Sequence, residues 1–160
     1  LVVGTTAPAF ETNEVRHVNQ RDQWQTAPMY ERLFANDENT GKRVGQLLAD
    51  WKLEPDGLSY RFFLRKDVKL HYDKGVLASA DVVESFRDHM QDDSLRGSAP
   101  NLRATVKAVE PVDDTTLIMR LQRPAAEFLY ASGQADIISG RHLKEQRRHR
   151  PLPHKGAHPR

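Results

Sequence analysis

The clearest period along the chain is two. Apolar residues take the even positions Tyr60, Phe62, Leu64, Val68, Leu70 and Tyr72, while Arg61, Arg65, Lys69 and His71 take odd ones, with Phe63 the exception. Successive strand side chains point to opposite faces, so the pattern predicts a half-buried strand with one apolar face and one basic, solvated face. Lys66-Asp67 interrupts the series and marks a turn or bulge. Just upstream, Pro55-Asp56-Gly57 separates Trp51-Lys52-Leu53 from Leu58-Ser59-Tyr60. Proline presets φ and glycine accepts positive φ, which predicts a β-hairpin with strands near 50–54 and 58–65. A second hairpin is predicted over 106–112 and 115–121 around Asp113-Asp114, with Leu117, Met119 and Leu121 alternating.

Helical spacing is clearest from Ser79 to Met90. Val82, Val83, Phe86 and Met90 share a face, Ser79 is placed to cap, and Asp81 and Glu84 lie near the positive end of the helix dipole. Pro28 to Phe34 predicts a helical turn or two anchored by Met29, Leu33 and Phe34. Pro124 to Tyr130 predicts another, packing Phe128 and Leu129. Val44 to Trp51 fits either a short amphipathic helix or an extended run into the hairpin. Asn36 to Lys42 is a turn cluster, 91–100 a loop, and 8–26 a long polar loop of the kind that carries function. Short strands are expected at 1–4 and 136–138, and the periodic pattern ends after Leu143. Strands and helices mix without regular βαβ repetition, so the fold class is α+β, or loosely α/β.

A chain of 160 residues can bury a real core. It contains no cysteine, which excludes disulfides, thiol catalysis and cysteine-based zinc sites. No apolar run approaches a membrane span. The net charge of +2 belongs to residues 144–160, which hold six Lys/Arg against one Glu. The remainder carries 18 basic and 21 acidic residues, which gives no reason to expect nucleic-acid binding. His71 with Asp73, and His149, His154 and His158 in the tail, are the candidate metal ligands. The tail reads as a disordered tract, and no metal or other cofactor is expected. No nucleophile–base arrangement, P-loop or H-E-x-x-H is present, and an enzyme is not expected.

The stretch from Gly45 to Phe86 resembles the signature region of the family 5 extracellular solute-binding proteins, the peptide, oligopeptide and nickel receptors of bacterial ABC importers. The resemblance is carried by Ala49, Trp51, Asp56, Gly57, Tyr60, Phe62, Leu64, Arg65, Val68, Leu70, His71, Gly75, Asp81, Val82 and Val83. It extends over residues 1–145, from LVVGTT through PMYERLFANDENTGK to IISGRHLKE. Two departures stand out. The turn after His71 is longer than the family's and lacks its proline, and Ala78 replaces the usual Thr/Ser before the helix.

The resemblance implies an incomplete lobe I of a two-lobed type II periplasmic binding protein over 1–143, with 144–160 as a basic, disordered or aberrant tail. Members continue past the position of His142 into a V-G-T-G-P-(F/Y) segment and a second lobe, so this chain is expected to hold half a cleft and little affinity. It further implies ligand contacts from Thr5, Thr6, Asn19, Gln20, Gln23 and Trp24, with Trp24 stacking and Asn19 and Gln23 bonding peptide groups. The implied partners are a peptide or small-solute ligand and an importer permease, in a periplasmic or membrane-anchored parent. Strands missing from lobe I would leave a sheet edge open to self-association. The rival reading is a small interaction module whose basic tail docks an acidic partner or nucleic acid; deleting 144–160 would abolish its binding.

Overall fold

The computed structural model describes residues 15–18 and 27–148. Two single 3-10 turns, Val15–His17 and Ala27–Met29, come first. Then follow β1 (Glu31–Arg32), β2 (Phe34–Asn36), β3 (Arg43–Gly45), β4 (Leu48–Leu53) and β5 (Ser59–Leu64). Helices α1 (Ser79–His89) and α2 (Ala99–Thr105) precede β6 (Val106–Asp113) and β7 (Thr116–Leu121). Helix α3 (Phe128–Ser132), strand β8 (Asp136–Ile137) and helix α4 (Gly140–Arg148) close the described part.

Both predicted hairpins form, and they join. Strands β4-β5-β7-β6 make one antiparallel sheet with β5 and β7 in its centre. Each turn is built by an aspartate. Asp56 accepts from the backbone N–H of Leu58 and Ser59 and from the Ser59 hydroxyl, while Gly57 sits at φ +67°. Asp113 does the same for the N–H of Thr115 at 2.8 Å. The alternation decides the faces as expected. Phe62, Leu64, Leu117, Met119 and Leu121 are buried, and helices bring Val82, Phe86, Leu102 and Phe128 onto them. Across the sheet, aromatic rings tile this face: Phe34 meets Trp51 edge-on at 5.0 Å, and Tyr60 and Phe128 are also 5.0 Å apart. The other face carries Arg61 paired with Glu54 and Arg120 paired with Glu110. Pro111 removes a donor from β6, and the Asp50 carboxylate takes the Trp51 N–H at 2.8 Å.

Three expectations are corrected and one alternative is decided. Residues 28–34 do not form a helix beyond the 3-10 turn. Glu31–Arg32 pair with β8 and Phe34–Asn36 with β3, so long-range ladders override the local spacing, and Met29 is exposed while Leu33 and Phe34 are buried. Of the two readings of Val44 to Trp51, the extended run into the hairpin is the one that forms. Ala78, not Ser79, occupies the cap of α1. The Ser79 hydroxyl instead donates to the Asp113 carbonyl, tying the helix start to the second hairpin turn. Helix α3 begins at Phe128 rather than Pro124. One element was missed, since 99–105 is helical with Ala99 and Leu102 fully buried. The last helix reaches Arg148, five residues into the stretch read as a tail.

Candidate functional site

The residues singled out for ligand contact, Thr5, Thr6, Asn19, Gln20, Gln23 and Trp24, lie outside the described residues, as do the first strand and 149–160. What the described residues form is an open groove of about 690 Å³ close to where that segment rejoins the fold. One wall is the short β1–β8 ladder, with Glu31 opposite Ile137, continued by Ile138 and Ser139. Pro28, Met29 and Tyr30 lead into it. The facing wall is the loop after β5. Lys69 bridges to Val76, the Leu70 N–H donates to the Gly75 carbonyl at 2.8 Å, and the Leu77 N–H donates to Val68 at 2.9 Å. Asp73 at φ +52° and Gly75 at φ +99° turn the tip. This is the longer turn noted in the sequence, and the glycine is needed there because an L side chain rarely adopts that backbone.

Leu47, Val68, Leu70 and Leu77 line the groove on one side and Ile137 and Ile138 on the other, and Lys69, His71, Lys74, His142 and Glu31 stand around it among the described residues. Such a surface suits a ligand with an apolar body and a negative or polar group. No local motif could have revealed it, since its walls come from segments some hundred residues apart in sequence.

Behind the β1–β8 wall lies a buried charge cluster. Asp136 accepts from Arg32 Nε at 2.8 Å and from Arg96 Nη2, and Asp136 and Arg96 are both almost fully buried. Arg96 leaves Nε and Nη1 buried without a hydrogen-bond partner. Burial and the neighbouring Asp136 charge push the Tyr30 hydroxyl above its ordinary value. His89, bonded to the Ser98 hydroxyl at 2.8 Å, is lowered to about 4 by burial and then by the Arg96 charge. Its sign is fixed by that depression. Between its ordinary 6.5 and about 4, the unfolded chain binds a proton that the folded chain refuses. Stability should therefore fall as pH drops through that window, by up to about 1.4 kcal/mol per pH unit from this residue. Urea midpoints at pH 7 and 4.5 should draw closer together in His89→Gln than in the parent; an unchanged gap would refute the assignment. A second buried pair, Arg16 to Asp88 at 2.8 Å, fastens the Val15–His17 turn to the end of α1.

The family model for "Bacterial extracellular solute-binding proteins, family 5 Middle" matches residues 42–149. The chain belongs to this family. Its members are solute-binding proteins, and the chain is 33% identical over 126 residues to "Heme-binding protein A" of Haemophilus influenzae, covering 69% of this chain and 23% of that protein. It is 32% identical over 131 residues to the "Dipeptide-binding protein" of Escherichia coli, covering 71% and 24%. The periplasmic binding protein DppA of Helicobacter pylori, solved with the peptide STSA, superposes with a TM-score of 0.66 at 24% identity, over 81% of this chain and 29% of that one; at that identity the match speaks to the fold. The chain thus spans about a quarter of the length of the curated relatives it matches. Among the described residues no helix is long and apolar enough to cross a membrane.

The structure gives a physical reason for the family's Asp-Val-Val helix start. Asp81 Oδ2 accepts from the Ala78 N–H at 3.0 Å, and its Oδ1 accepts from the Gly140 N–H at 2.6 Å. One carboxylate therefore closes the open ends of both α1 and α4, while Val82 and Val83 bury behind it. Ser85 adds a second tie, its hydroxyl accepting from the Ile138 N–H at 2.9 Å. Asp81→Ala should cost about 1–2 kcal/mol and speed exchange of the Gly140 amide well beyond that of the β5 amides. Uniform acceleration at both places would mean only global loosening.

Proposed function

We propose that this chain is part of the solute-capturing component of an ABC-type importer for peptides or related small solutes, acting outside the cytoplasmic membrane with a permease as its partner. The observation that carries the reading is family membership over residues 42–149 together with relatives described as dipeptide-binding and heme-binding. The work is capture rather than chemistry. In this reading the groove between the β1–β8 wall and the 68–77 loop supplies one wall of the solute site, and Lys69 attracts the solute's negative end.

The test is titration of isotope-labelled chain with the dipeptide Leu-Leu at millimolar concentration. Amide shifts are expected at Tyr30, Lys69, Ile138 and His142, weakened by Lys69→Glu. Shifts confined to other surfaces would remove the groove from the site. Submicromolar affinity would show that the groove is more than one wall.

A further inference from the structure

A second surface, apart from the groove, is built around Arg43. In the β2–β3 ladder Asn36 faces Arg43 and Phe34 faces Gly45, so Phe34 and Arg43 share a side of the ribbon. The Arg43 guanidinium lies 5.6 Å from the centroid of Phe34 and 5.9 Å from that of Tyr130. Phe34 is held from behind by Trp51 and Phe62 and is 5% exposed, so its ring is a fixed platform. Tyr130 is 61% exposed, although it sits on the helix that buries Phe128 and Ala131. A side chain at Gly45 would collide with the Leu48 carbonyl at 2.2 Å, so the glycine lets β3 run closely into β4.

The Arg43 guanidinium makes no hydrogen bond or ion pair among the described residues. Arg16, Arg32, Arg61, Arg65, Arg87, Arg96, Arg103 and Arg120 each meet a carboxylate. The Arg43 guanidinium carbon lies near both ring centroids, and such contacts leave the N–H donors of the fork for an acceptor.

We propose that Arg43 and Tyr130 form a docking point for an acidic segment of another protein, a carboxylate in the Arg43 fork with an apolar side chain against the Tyr130 ring. Charge complementarity selects the acid. The shape selects a protein over a small solute, because neither residue lines the groove and an outstanding ring offers no concave pocket. Arginine and tyrosine on a rigid base are also the residue types that dominate protein-interface energetics. This does not rest on the proposed solute, since Arg43 and Tyr130 lie outside the groove.

The test uses the whole chain and the peptide acetyl-Leu-Glu-Leu-Glu-Leu-amide, with the glutamine analogue and free glutarate as controls, read by the Arg43 side-chain and Tyr130 ring resonances. The acidic peptide should move both sets and bind about tenfold more tightly than the glutamine analogue, as one charge-assisted bond predicts. Arg43→Ala and Tyr130→Ala should each abolish most of this binding while melting near the parent, and Arg43→Lys should not restore it. Equal binding of the glutamine analogue, glutarate matching the peptide, or shifts that bypass both residues would each overturn the proposal. So would undiminished binding by the variants. The Leu-Leu titration reads different resonances, so either surface can fail alone.

Discussion

Asp136→Ala is expected to cost about 3–5 kcal/mol, among the largest single losses available in this chain. The carboxylate is the shared acceptor of Arg32 and Arg96, and Arg96 is fully buried with two N–H groups already unpaired. Removing it strands a buried cation that water cannot reach. Arg96→Met should do far less harm, because Asp136 keeps Arg32, which is partly exposed, and the orphaned donors disappear with the guanidinium. Adding Arg96→Met to Asp136→Ala should therefore recover much of the loss. Denaturant unfolding of the three variants decides the matter. Equal costs for the two single changes, or no recovery in the double, would show that the cluster is not governed by desolvation.

Phe62→Ala should cost a similar amount, about 3–5 kcal/mol. Phe62 is wholly buried at the centre of the sheet, between Trp51 on β4 and Leu117 on β7, with Phe34 at 6.0 Å and Phe128 at 6.5 Å. Truncation removes the middle of the aromatic layer, and the surrounding rings belong to separate elements that cannot all move inward. Phe63→Ala, one position along on the partly solvated face, should cost much less. That contrast separates loss of a core ring from loss of strand propensity. If the two variants melt together, the period-two assignment of faces is wrong.

Much of the sheet was legible because its signals are local. An aspartate and a glycine set the first turn, an aspartate the second, and alternation assigns the faces of β5 and β7. The errors share a cause. Met29 and Leu33 stand at helical spacing, yet the segment finds its partners in β8 and β3, far along the chain. Helix α2 has seven residues and follows a polar loop, so only Pro100 in its first turn and the apolar Ala99 and Leu102 could have signalled it. The charge cluster was invisible because Arg96 and Asp136 read as surface residues until long-range packing buries them. The groove has no linear trace at all, for its walls meet only once β1 and β8 are paired.

That pairing has a mechanical side. Everything between Arg32 and Asp136 leaves and returns through a neck of two residue pairs and the Arg32–Asp136 bond, and the chain outside the neck is tied back to α1 by Arg16 to Asp88, Ile138 to Ser85 and Gly140 to Asp81. Tension applied to the chain beyond these ties loads them and α1 first, and only then peels Glu31 from Ile137 and Arg32 from Asp136, one pair at a time. Under force the molecule should yield at the ties and the neck before the four-stranded sheet, which should give way in a separate, later event.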